Sequence, residues 1–78
     1  MKRPIYDIET EGDVTVVMQL TTPYIETEYG KQLLPDEICI VAEYFDYDKD
    51  EPNETVILLN KKQAIDFAIK LLELANEI

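Results

Sequence analysis

No histidine, serine or tryptophan occurs in this chain, and cysteine occurs once. Without histidine or serine, and with the one thiol, Cys39, inside an apolar run, the usual nucleophile with a positioned base cannot be assembled. Paired carboxylates remain, but nothing in the sequence marks an environment that would raise the pKa of one of them. The chain is therefore expected not to be an enzyme, and no cofactor is implied. A lone cysteine cannot form an internal disulfide, so Cys39 reads as a reduced, buried thiol in a cytoplasmic protein. No apolar run approaches membrane-spanning length. Met1, Lys2 and Arg3 make a basic start, but Pro4, Asp7, Glu9 and Glu11 follow where a signal peptide would be apolar, so none is expected.

Bases are also scarce. Seven stand against seventeen acids, for a net charge of −10 over 78 residues. The three acids Asp66, Glu73 and Glu77 balance Lys61, Lys62 and Lys70, so the whole imbalance lies before Thr55. Such a field repels nucleic acids and anionic membranes and attracts basic surfaces.

The last stretch carries the clearest pattern. Asn60 with Gln63 forms a polar capping box, and Ala64, Ala68, Leu71, Ala75 and Ile78 then recur at helical spacing beside Ile65, Ile69 and Leu72. Phe67 and Leu74 widen the apolar arc to roughly 200°, more than one-sided burial needs. Asp66, Lys70, Glu73 and Glu77 form the solvated stripe, with Asp66 and Lys70 in the favourable order four residues apart. The spacing predicts a helix over 61–77 that closes a small core, with a flank to spare for a partner.

Everything before it reads as sheet. Alternation predicts strands at 4–10 and 14–22, joined by a turn at Glu11, Gly12 and Asp13. A β-prone run at 38–47 is the candidate central strand, and 55–59 is the last, after a turn holding Pro52. Residues 24–37 break any period and are expected to be a long connection with room for one short edge strand. The expected fold is α+β: a single domain over 1–78 with a four-stranded, mostly antiparallel meander and the C-terminal helix packed on one face. The strands at 38–47 and 55–59 are apolar on both faces. One helix covers one face, so sheet curvature, a homodimer or another partner must cover the other.

Three acidic rows alternate along the sequence: Asp7, Glu9, Glu11 and Asp13; Glu26 and Glu28; Asp46, Asp48 and Asp50. Alternate side chains of a strand lie about 6.6 to 6.8 Å apart on one side, so each row is a ladder of negative charge. Such ladders can imitate nucleic-acid phosphates toward the Lys and Arg groups of another protein. Tyr24, Tyr29 and Tyr47 are expected to be exposed among them, offering stacking and hydrogen bonds to arginine. The expected function is an acidic protein-protein interaction domain. It would act as an inhibitor occluding the basic surface of a nucleic-acid-binding protein or nuclease, in the manner of phage defence inhibitors and immunity proteins. The plainer reading is a structural or regulatory homo-oligomer whose acids only keep it soluble and blunt its sheet edges. Asp46, Asp48 and Asp50 also match the first ligands of a calcium loop, but Glu51 stands where that loop needs glycine and Ile57 where it needs its bidentate glutamate. A weak Ca or Mg module is thus a distant alternative, and no metal ligand is assigned.

Overall fold

The computed structural model describes residues 3–78. Met1 and Lys2 of the basic start lie outside them. Four strands, β1 (Ile5–Glu9), β2 (Thr15–Thr21), β5 (Glu37–Asp46) and β6 (Glu51–Leu59), form one antiparallel sheet in the order β1-β2-β5-β6. The helix α1 (Lys61–Ala75) follows β6. This is the expected meander, with the long strand β5 at an interior position.

Between β2 and β5 the chain forms a separate hairpin, β3 (Tyr24–Thr27) and β4 (Gly30–Leu33), where one edge strand at most was expected. Its two-residue loop lacks the usual Asn-Gly signal. It is held instead by Thr27 Oγ1, which donates to the Gly30 carbonyl (2.9 Å) and accepts from the Tyr29 N–H (3.2 Å), and Gly30 supplies a φ of 110°. The last strand also starts four residues earlier than expected, with Pro52 inside it opposite Phe45. Proline is tolerated there because β6 is an edge strand. The loop before it puts Asp50 at φ 53°, a left-handed conformation that aspartate accepts more readily than most residues.

The register sorts the sheet into two faces. One carries the row Tyr6–Met18–Ile40–Ile57 across all four strands, flanked by Ile8–Val16–Ala42–Thr55 and by Leu20–Ile38–Leu59. The other carries Ile5–Gln19–Cys39–Leu58, then Asp7–Val17–Val41–Val56, then Glu9–Thr15–Glu43–Glu54. The first face holds no charge until Asp46 and Glu51 at its far end. The second has acids in two of these three rows and at Glu37.

Asn60 caps α1 as its spacing implies: its side chain accepts from the Gln63 N–H (2.8 Å) and the Gln63 side chain accepts from the Asn60 N–H (3.0 Å). Lys70 Nζ meets Asp66 at 2.9 Å on the solvated stripe. The helix approaches the apolar face at one end, where Lys61, Ala64 and Ile65 border a hollow shared with Leu20, Asp36 and Ile38. The closed core expected of it is not formed. No described residue is buried, and Phe67, Leu71, Leu72 and Leu74 stay exposed together with Tyr6, Ile57 and Leu58 of the sheet. Cys39, expected to be buried, is half-exposed. The radius of gyration is 16.0 Å, against roughly 11.5 Å for a compact chain of this length.

Candidate functional site at the acidic end of the sheet

The loop joining β1 to β2 and the loop joining β5 to β6 leave the same end of the sheet, because all four strands are antiparallel neighbours. They are tied together: the Tyr47 hydroxyl donates to Asp13 Oδ2 at 2.9 Å, across 34 residues of sequence. The Asp13 carboxylate holds the Tyr47 hydroxyl above its ordinary pKa of 10.0, first through this hydrogen bond and then through its charge. Phe45 braces the same ring edge-on, with centroids 4.9 Å apart.

Glu9, Glu11 and Asp13 therefore share one end of the sheet with Asp46, Asp48 and Asp50, and the strand ends add Glu43, Glu51 and Glu54. Lys49 is the only base in these two loops and strand ends. Two pairs of acids face each other directly in the register, Glu43 with Glu54 on one face and Asp46 with Glu51 on the other. Like charges in that position destabilise a sheet. A sequence selected for solubility alone would intersperse the two signs. Asp13, Glu43 and Glu54 line a shallow concavity of about 560 Å³ with Tyr44, Phe45, Pro52 and Asn53. It offers carboxylates for charge-assisted hydrogen bonds and aromatic groups for stacking, the combination a guanidinium uses.

The sequence-derived site is only partly assembled here. Asp46, Tyr47, Asp48, Asp50, Glu9 and Glu11 belong to this end, and Asp7 lies one row further along the same face as Glu9. Tyr24, Glu26, Glu28 and Tyr29 do not belong to it. They sit on the β3–β4 hairpin, which leaves the sheet from the opposite end, between Thr21 and Glu37. Glu26 faces Lys31 there, and Lys31 Nζ lies 4.3 Å from the Tyr24 ring centroid, so that pair already has its cation. Tyr24, Tyr29 and Tyr47 are all exposed, Tyr29 almost completely.

Glu43, Phe45, Glu51 and Glu54 were not singled out from the sequence. Their only signal was opposition across the hairpin, which requires knowing that Tyr47 to Asp50 is a four-residue loop. The Asp46 carboxylate orders its own loop: its Oδ1 accepts from the N–H groups of Asp48 (3.0 Å) and Lys49 (3.3 Å). Among the described residues no three His, Cys, Asp or Glu side chains converge as metal ligands, and no helix is long and apolar enough to cross a membrane. Comparison with protein-family models, curated protein sequences and solved structures gives no significant match.

Proposed function

We propose that the protein is a non-catalytic, acidic interaction domain whose sheet end occludes a basic surface of another protein, of the kind that otherwise holds nucleic acid. The observation that carries this reading is the register of Glu43 against Glu54 and of Asp46 against Glu51, with no base opposing any of them. Each pair is a local repulsion that an arriving lysine or arginine would relieve. The concavity beside Glu43 and Glu54 supplies room for the incoming side chain, with Phe45 as its apolar wall. Only Asp7 and Glu9 stand two apart on a strand, and the two opposed pairs lie on opposite faces, so the negative charge is gathered around the loop end of the sheet, toward which phosphate-binding groups are steered. Inhibition by occupying such a surface is the biological use that fits this chemistry, as in phage-encoded inhibitors and nuclease immunity proteins.

Acidity for solubility alone is the weaker reading, because it gives no reason for the acids to be stacked against each other. Glu54→Lys separates the two. It places a cation opposite Glu43 and is expected to stabilise the fold by a few tenths of a kcal/mol. Under the occlusion reading it nevertheless weakens binding. The probe is a fluorescently labelled arginine-rich peptide, titrated by anisotropy at about 50 mM and about 200 mM salt. Wild-type protein should bind it with an affinity that falls steeply with salt, and Glu54→Lys should bind roughly three- to tenfold more weakly at the lower salt. Equal binding by the two proteins would remove this end of the sheet from the model. A pull-down from the native host at low salt, eluted with rising salt, would then identify the partner. Its nucleic-acid binding should be competed by the wild-type protein and, at equal concentration, less effectively by Glu54→Lys.

A further inference from the structure

We infer that the apolar face of the sheet and the exposed arc of α1 are the interface with a second copy of this chain, each copy laying its helix across the other's Tyr6–Met18–Ile40–Ile57 row.

Three observations point to a second copy. The first is area. The accessible surface is 7109 Å² for 9.1 kDa, where a folded monomer of that mass exposes roughly 4,900 Å². The excess, roughly 2,200 Å² per chain, is well above the ~800 Å² per partner of a standard interface and lies in the range of obligate homodimers. With no described residue buried, the chain alone lacks the core a fold of this size requires.

The second is connectivity. Asn60 is the only residue between β6 and α1, and the reciprocal bonds of the capping box hold it at φ −74°, ψ 174°. Connections that turn a helix back over its own sheet commonly take two to six residues. This one directs α1 past the Leu20–Ile38 end, so its own helix leaves the central row uncovered. Fifteen helical residues span about 22 Å, close to the ~20 Å from Ile38 to Tyr44 along β5. A helix from a second copy therefore matches the open face in length.

The third is charge. Each copy carries −10, so self-association needs a surface without acids. The central rows of the apolar face have none, whereas two copies of the other face would oppose Asp7, Glu9, Glu37, Glu43 and Glu54 to their equivalents. A two-fold arrangement on the apolar face leaves both acidic ends free.

The deciding experiment is the mass of the wild-type protein by light scattering and sedimentation from low to high micromolar concentration, with its melting temperature over the same range. Twice 9.1 kDa, with a melting temperature that rises with concentration, is expected. A folded 9.1 kDa monomer with a concentration-independent melting temperature would overturn the inference. Ile57→Lys and Val56→Lys, adjacent substitutions on opposite faces of β6, then locate the interface. The first should weaken self-association at least about a hundredfold, although it lowers the net charge, and the second should leave it within about threefold. The reverse ranking would overturn the assignment of the face. Leu71→Lys on α1 should behave like Ile57→Lys, and a dimer indifferent to it would overturn the role of the helix. Because like charges meet on association, added salt should strengthen the dimer, the opposite of its effect on a basic peptide at the acidic end.

Discussion

The two faces of the four-stranded sheet are built from the same strands, yet they differ in where they place charge. Along β5, Ile38, Ile40 and Ala42 point to one side and Glu37, Cys39, Val41 and Glu43 to the other. Both sides are half-open to solvent, so exposure does not distinguish them. The uncharged side loses free energy by staying wet, since each apolar side chain left exposed forgoes roughly 1.5 to 3 kcal/mol. The acidic side is already hydrated, and what it lacks is a counter-charge. The first face is thus a demand for apolar cover and the second for cations. Among the described residues only one base, Lys49, lies near the acidic end, so the chain offers apolar groups for the first demand and few cations for the second.

The largest effect should come from removing that asymmetry at the centre of the sheet. Ile40→Lys puts a charge into the Tyr6–Met18–Ile40–Ile57 row, and if that row is covered in solution the substitution should cost about 3 kcal/mol or more. Val41→Lys, one residue along on the acidic face, should cost about 1 kcal/mol. Denaturant unfolding of both variants at equal concentration makes the comparison, and equal losses would mean that the faces are equivalent.

A smaller effect is expected from loosening the helix. Asn60→Ala removes the acceptor for the Gln63 N–H and should cost about 1 kcal/mol. If α1 serves only the apolar side, the loss should appear in melting temperature and self-association, and affinity for an arginine-rich peptide should stay unchanged. A matching loss of peptide binding would show that the two faces are coupled through β6.

Much of this was legible in the sequence because it depends on spacing. The capping box of Asn60 and Gln63, the Asp66–Lys70 pair and the alternation that gives β1 and β2 are local, and each is found where the spacing puts it. The apolar character of both sides of β5 and β6 was equally local, and it implied an uncovered face. Register was not legible. Whether Glu43 meets Glu54 depends on the length of one loop, and whether Glu26 joins Asp46 depends on where the β3–β4 hairpin is rooted. The single-residue connection at Asn60 was legible, since the strand was expected to end at 59 and the helix to begin at 61, but its consequence for where the helix lies does not follow from spacing. Acidic rows that look equivalent along the chain are therefore separated by topology, with Lys31 beside one and two further acid pairs beside another.

The smallest effect, and the most specific to the acidic end, concerns the bond between its two loops. Tyr47→Phe keeps the ring against Phe45 and removes only the hydroxyl that donates to Asp13. The tyrosine is exposed, so at neutral pH the change in stability should be slight. Its pH dependence is more telling. The folded-state pKa of Tyr47 is raised above 10.0, so the contribution of this group is fully present below pH 10 and is lost as pH rises through the folded value. Wild-type protein should therefore lose slightly more stability than Tyr47→Phe on going from neutral to strongly alkaline pH. If the bond also aligns the two loops for a basic partner, the variant should bind an arginine-rich peptide more weakly at neutral pH, although its net charge is unchanged. Charge alone predicts equal binding, so the difference between the two proteins measures how far the acidic end works as a shaped surface and how far it is merely a negative one.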